Sequence, residues 1–205
     1  MSGSLWECSA DELLRRAASA EPTPGGGSIA AVTAAFGFSL VLMAIGVTLA
    51  GEEGAADDRA RLIDGQSRAR ALQQEAVAAV DLDVTEFDAV MAGYRLPRDT
   101  DAQRAFRRQR IDDATAAATG GPLRLAEAAI EGIELVDEIE PLIKPSIVSD
   151  AEAGRDLLRG AAFAALRTAD INLLPLEERQ HAAAPALRRR RDAAGSLLMG
   201  RQGTA

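Results

Sequence analysis

The chain is poor in the residues that build metal, disulfide or redox centres. It has one cysteine, Cys8, and one histidine, His181, in 205 residues. A single cysteine excludes an intramolecular disulfide framework, and the pair together excludes a zinc site of the usual His/Cys kind. Of the 23 basic residues all but Lys144 are arginines, so a lysine Schiff base has one candidate, beside prolines in an expected loop. Aromatic residues make up 3% of the chain and β-branched residues are sparse, which argues against a sandwich, barrel or parallel sheet. The net charge of −8 leaves no excess of positive charge for phosphate contact, so no nucleic-acid partner is expected. Residues 1–9 show no basic segment followed by an apolar one, so no signal peptide is read and a cytoplasmic location is expected.

What is abundant is alanine and other small apolar residues, a composition that favours helices. Ser9, three residues before Glu12, resembles a capping box that opens a short helix. The run Glu21-Pro22-Thr23-Pro24-Gly25-Gly26-Gly27 cannot continue it. Residues 28–50 follow with no charge and no proline. Their length allows a membrane span, but a helix buried on all sides is the better reading, and no membrane partner is expected. Covering such a helix in so short a chain suggests help from a second subunit. Helical spacing continues over 57–93, with a break at Tyr94-Arg95-Leu96-Pro97. Thr100 and Gln103 resemble a second capping box, opening a helix to about residue 119. Gly120-Gly121-Pro122 is expected to end that helix and start another, running to about 139. Ser149-Asp150-Ala151-Glu152 reads as a third box, opening a helix to about 169. A last helical stretch over 175–199 is expected to be interrupted at Pro185. The sum is an all-α bundle of six to seven helices around a central apolar helix, as one domain over 1–205 with a tail from about 186.

Few segments suggest chemistry. Gly25, Gly26, Gly27 and Ser28 open the apolar helix, where bare N–H groups can bind an anion or glycine can simply permit a tight entry. The spacing is neither that of a P-loop nor that of a dinucleotide fingerprint. Asp81, Asp83, Glu86 and Asp88 interrupt an apolar helix, where a carboxylate is either ion-paired or functional. Asp150 lies in a first helical turn, which the helix dipole alone accounts for. Four consecutive arginines at 188–191 read as a solvated face, or as a contact for an acidic partner. His181 reads as a surface residue.

Several of these pieces resemble one family. Pro22-Thr23-Pro24-Gly25-Gly26-Gly27-Ser28 with its small-residue helix is similar to the opening of the cyclodeaminase/cyclohydrolase family. The stretch from Asp83 through Phe87, Tyr94 and Pro97 resembles its second signature. Gly121-Pro122-Leu123, Ile147-Val148-Ser149-Asp150-Ala151 and Ala164-Ala165-Leu166 resemble later ones. The resemblance implies an all-α homodimer acting on a tetrahydrofolate derivative, with no prosthetic group and no metal. It implies a methenyltetrahydrofolate cyclohydrolase or a formiminotetrahydrofolate cyclodeaminase. Asp83 and Asp150 are the implied catalytic carboxylates. Gly25, Gly26, Gly27, Ser28, Thr48, Tyr94 and Ser149 are the implied substrate-binding residues.

The sequence departs from the family at several polar positions. The family reads Asn-Leu-Thr-x-Gly-Lys-Lys-Lys where this chain has Gly46-Val47-Thr48-Leu49-Ala50-Gly51-Glu52-Glu53, a reversal of charge. An Asn-x-Asn has become Lys144-Pro145-Ser146, and an asparagine has become Arg167. Lys144, Arg98 and Arg167 are the residues that could restore positive charge. The alternative reading is a protein of the same fold that serves as a binding or assembly module without folate catalysis.

Overall fold

A computed structural model describes residues 3–51 and 55–200, and the charge reversal at Glu52 and Glu53 lies outside the described residues. Six α-helices follow in order: α1 (Ala10–Ala17), α2 (Gly26–Leu49), α3 (Ala56–Tyr94), α4 (Asp101–Ile139), α5 (Val148–Glu178) and α6 (Ala184–Gly200). Two 3-10 turns, Leu5–Glu7 and Glu140–Leu142, complete the regular structure, and there is no strand among the described residues.

Helices α2 to α5 form a closed ring in which each packs on its two neighbours: α2 on α3 and α5, and α4 on the same pair. Every adjacent pair is antiparallel. Ser28 meets Asp83 while Arg59 reaches Leu49 along the α2/α3 seam. Asn172 meets Ala118 and Arg155 meets Asp137 along the α4/α5 seam. This is an up-down-up-down four-helix bundle. The apolar helix α2 is therefore one corner of four and not a central rod. It is the one described helix long and apolar enough to span a bilayer, and more than half of its most apolar stretch is buried in the bundle. Ala31, Ala34, Phe38, Val41 and Ile45 face the core, whereas Phe36, Met43 and Val47 on the opposite face are 58%, 41% and 42% exposed. A helix apolar all round needs cover all round, and this chain supplies it on one side.

Small residues set how closely the corners meet. A Cβ on Gly154 would lie 2.8 Å from the Gly37 carbonyl oxygen and 2.9 Å from Val41, and one on Gly37 would lie 3.0 Å from the Gly154 carbonyl. Helices α2 and α5 thus cross almost backbone to backbone.

The expected break at Gly120-Gly121-Pro122 does not occur: α4 runs through Pro122 without interruption. Proline has no N–H to give to the carbonyl four residues back, which is Ala118. That carbonyl instead accepts 2.8 Å from Asn172 Nδ2 of α5. A side chain 54 residues away fills the gap that the proline leaves. Thr100 and Gln103 form the expected reciprocal box at the start of α4. The third expected box does not form, because α5 starts at Val148 with Ile147 as its cap, and Ser149 and Asp150 already lie within the helix. Helix α5 also continues past residue 169 to Glu178, through Pro175.

The segment from about 186, expected as a tail, is the body of α6 and packs on α4 and α5. Three of the four arginines in the run are partly exposed but ion-paired within the chain. Arg188 grips Glu177 through two hydrogen bonds of 2.8 and 2.7 Å, and Arg191 grips Asp170 through two of 2.6 and 2.7 Å. Arg190 holds Glu127 of α4 through bonds of 2.9 and 2.8 Å, and only Arg189 of the four stays exposed. Paired guanidinium-carboxylate forks of this kind add direction as well as charge.

Gly154→Ala should force α2 and α5 apart and cost about 1–3 kcal/mol. A lowered urea midpoint at fixed protein concentration would show it, and an unchanged midpoint would contradict the close crossing.

Candidate active site

One end of the bundle gathers the glycine-rich loop, the C-terminal half of α3, the first half of α4 and the C-terminal half of α5. The start of α2 has no side-chain cap from Gly25. Asp83 of α3 serves instead: its Oδ2 accepts 2.8 Å from the Ser28 backbone N–H and 2.7 Å from the Ser28 hydroxyl. An anion at the start of a helix is favoured by the free N–H groups there. Gly27 is required for this approach, because a Cβ there would collide with the Asp83 carboxylate. The other oxygen, Oδ1, accepts no hydrogen bond among the described residues. Asp83 lines a cleft of about 620 Å³.

Glu86 lies one turn beyond Asp83 and lines the same cleft. Its side chain is 13% exposed, and Arg124 stands 3.6 Å away. Gly121 of α4 makes room for it, since a Cβ at that position would overlap the Glu86 carboxylate. Burial pushes the Glu86 pKa above its usual value, and the nearby Asp83 charge pushes in the same direction, partly offset by Arg124. The sequence reading set Glu86 among four carboxylates without selecting it. The signal was its i, i+3 spacing from Asp83, which puts both on one face. The structure separates the remaining two: Asp81 receives the Leu5 N–H and the Ser4 hydroxyl of the N-terminal turn, at 2.8 and 2.5 Å, and Asp88 is exposed.

From the carboxylates the cleft wall continues along α3 through Phe87, Val90, Met91 and Tyr94, with Arg167, Thr168 and Asn172 of α5 opposite. Gly25, Gly26, Gly27, Asp83 and Tyr94 thus line one cleft, and Ser28 is buried behind Asp83. Arg167 stands at the same cleft.

Thr48, Ser149 and Asp150 lie at the other end of the bundle. Thr48 Oγ1 accepts 3.1 Å from the Lys144 backbone N–H, tying the end of α2 to the loop before α5. Ser28 and Thr48 are twenty residues apart on one helix, a separation of about 30 Å. Asp150 and Thr168, which packs beside Gly26, are eighteen apart on α5, about 27 Å. Within one chain the two carboxylates named from sequence therefore cannot touch one small molecule. Among the described residues no group of three or more metal-ligating side chains converges.

The profile of the formiminotransferase-cyclodeaminase family matches residues 9–190. A methenyltetrahydrofolate cyclohydrolase of Methylorubrum extorquens is 35% identical over 156 residues, covering 76% of this chain and 73% of that protein. The chain belongs to the formiminotransferase-cyclodeaminase family. A formimidoyltransferase-cyclodeaminase of Rattus norvegicus is 28% identical over 83% of this chain, which spans only 31% of that longer protein. The fold agrees with that of a solved formiminotetrahydrofolate cyclodeaminase from Thermotoga maritima, with a TM-score of 0.81 over 96% of this chain and 93% of that one. Their sequence identity is 16%, so this second likeness concerns fold alone. The family match covers both signatures that form the cleft, the glycine-rich loop and the Asp83 helix.

The raised Glu86 pKa has a sign that can be tested. The ionised side chain is accommodated worse in the fold than in the unfolded chain, so the associated stability is complete below the ordinary carboxylate range and is lost as pH rises through the folded value. Glu86→Gln should therefore melt above wild type at about pH 7.5 and lose that advantage near pH 4, as read by Tm against pH. A constant difference across that range would contradict the assignment.

Proposed function

We propose that the chain is a one-carbon tetrahydrofolate enzyme, acting as a methenyltetrahydrofolate cyclohydrolase. The observation that carries this is the Asp83–Glu86 pair facing the cleft, in a chain 35% identical to a protein of that name. The methenyl bridge between N5 and N10 is a delocalised cation. The free oxygen of Asp83, fixed by its bonds to Ser28, stabilises positive charge at that carbon. Water addition forms a carbon–oxygen bond and releases a proton. Glu86, with its raised pKa, is suited to take that proton and return it to the ring nitrogen as the carbon–nitrogen bond breaks. The new hydroxyl loses its own proton to give the formyl product. Closure of a formimino group with loss of ammonia would use the same two carboxylates, and is the second activity to assay.

We further infer a homodimer built on the uncovered face of α2. Ile29, Val32, Phe36, Met43 and Val47 form an uncharged stripe at helical spacing along a 24-residue helix. A two-fold contact places the same stripe on both partners. If the two copies of α2 run antiparallel, the end of one that carries Thr48 meets the end of the other that carries Ser28. Asp150 and Thr48 of the partner subunit would then approach the Asp83 cleft. This reading accounts for a family carboxylate lying at the wrong end of its own chain. A soluble, cytoplasmic enzyme without a membrane or nucleic-acid partner fits the covered stripe and the acidic charge.

The near-ultraviolet band of methenyltetrahydrofolate disappears on ring opening. Its decay should be faster with protein than without, and Asp83→Asn should remove about a hundredfold or more of the acceleration. No acceleration, and no ammonia from formiminotetrahydrofolate, would overturn the enzyme reading in favour of a binding module. Mixing Asp83→Asn and Asp150→Asn chains tests the shared site, since a mixed dimer regains one intact cleft. Recovery of about a quarter of wild-type activity is expected from random pairing. No recovery would place the two carboxylates in separate roles.

A further inference from the structure

Gly120 and Gly121 are buried in the middle of α4, and each makes room for one half of an ion pair. A Cβ on Gly121 would overlap the Glu86 carboxylate, and a Cβ on Gly120 would lie 3.2 Å from Arg124 Nη1. The Arg124 side chain thus folds back one turn along α4, with Nη2 3.6 Å from Glu86 Oε1. Glu86 is the one ion-pair partner of Arg124 among the described residues. The arginine side chain is 54% exposed, against 13% for the glutamate. Glu86 lines the cleft, whereas Arg124 does not.

The cation therefore stands behind the carboxylate and acts on the cleft only through it. A guanidinium set between Glu86 and a cationic substrate would repel that substrate and compete for the same oxygens. One set behind Glu86 favours its ionised form and leaves the approach from the cleft open. The other charges around Glu86 are Asp83, one turn earlier on α3, and Arg167, across the cleft on α5. Residues 22–50, which supply the glycine-rich loop and α2, carry none. Burial and Asp83 both favour protonated Glu86, and Arg124 opposes them.

We propose that Arg124 is a positioning residue that keeps Glu86 ionised at neutral pH, and so sets the pH at which turnover begins. This rests on the folate reading above, with Glu86 as the proton acceptor, and adds the group that tunes it. Arg124 is exposed and Asp83 half-buried, so salt screens the arginine more than the aspartate.

The test is the pH profile of kcat/KM for methenyltetrahydrofolate, corrected for spontaneous ring opening. In Arg124→Gln the acid limb should move up by about 0.5–1 pH unit, a three- to tenfold loss at its foot. Above both limbs the variant should match wild type, with KM unchanged. Arg124→Lys, which keeps the charge, should restore most of the wild-type profile. Arg189→Gln, the same charge change on exposed α6, should not move it. In about 0.5 M salt the wild-type limb should move toward that of Arg124→Gln, whose own limb stays in place. An unmoved limb, a loss equal at every pH, or a raised KM with an unchanged profile would overturn this inference alone. No turnover by wild type would count against the folate reading instead, and melting then decides the pair by itself. The Tm gain of Glu86→Gln at about pH 7.5 should be larger in an Arg124→Gln background than in wild type. A larger gain supports tuning of Glu86 by Arg124, and equal gains overturn it.

Discussion

The contact between Asp83 and Ser28 holds the functional end of this molecule together. One carboxylate oxygen accepts both the backbone N–H and the hydroxyl of Ser28, and so closes the start of a helix that has no cap of its own. The glycine-rich loop is thereby held against α3, and the second oxygen accepts no hydrogen bond among the described residues. Gly27 permits the contact, and Gly121 permits the equivalent approach of Glu86 from the other side. Capping α2 and presenting charge are thus the two halves of a single carboxylate's work. A structural and a chemical reading of Asp83 are not competitors here.

The same end shows how polar groups can be concentrated in an otherwise apolar bundle. Asn172 faces the cleft, yet its amide is committed to the Ala118 carbonyl that Pro122 leaves without a partner. Burying an unpaired carbonyl would be costly, so the proline and the asparagine form one unit. The aromatic and apolar wall of α3 then separates the Asp83 and Glu86 carboxylates from Arg107 and Arg179, which stand beside Tyr94 at its far end.

Much of the fold was legible in the sequence because it depends on local signals. Helical composition, the Thr100 box and the loop at Pro22-Thr23-Pro24 each carry their own physics, and all agree with the bundle. The errors arose where a distant residue decides. Nothing near Pro122 announces that Asn172 will satisfy Ala118, so a continuous α4 reads as two helices. Nothing in residues 188–191 names Glu127, Asp170 and Glu177 as partners, so a docked α6 reads as a tail. The site was legible where a motif and its partner share one end of the bundle, as with Asp83 and the glycines. It was not legible for Asp150 and Thr48, whose positions follow from counting turns along antiparallel helices. Glu86 was visible by spacing, but its burial beside Gly121 was not.

The near-contact of Gly37 with Gly154 has a consequence for length. Two helices that touch through side chains can slide by repacking them, whereas backbones meeting at a pair of glycines are pinned at one point. From that pin the chain measures about nine residues back to Ser28 and eleven forward to Thr48, or about 14 and 16 Å. The bundle behaves as a ruler with its zero mark near the middle. Adding or removing a residue on either arm would shift one end and rotate it by about a third of a turn, while leaving the other end in place.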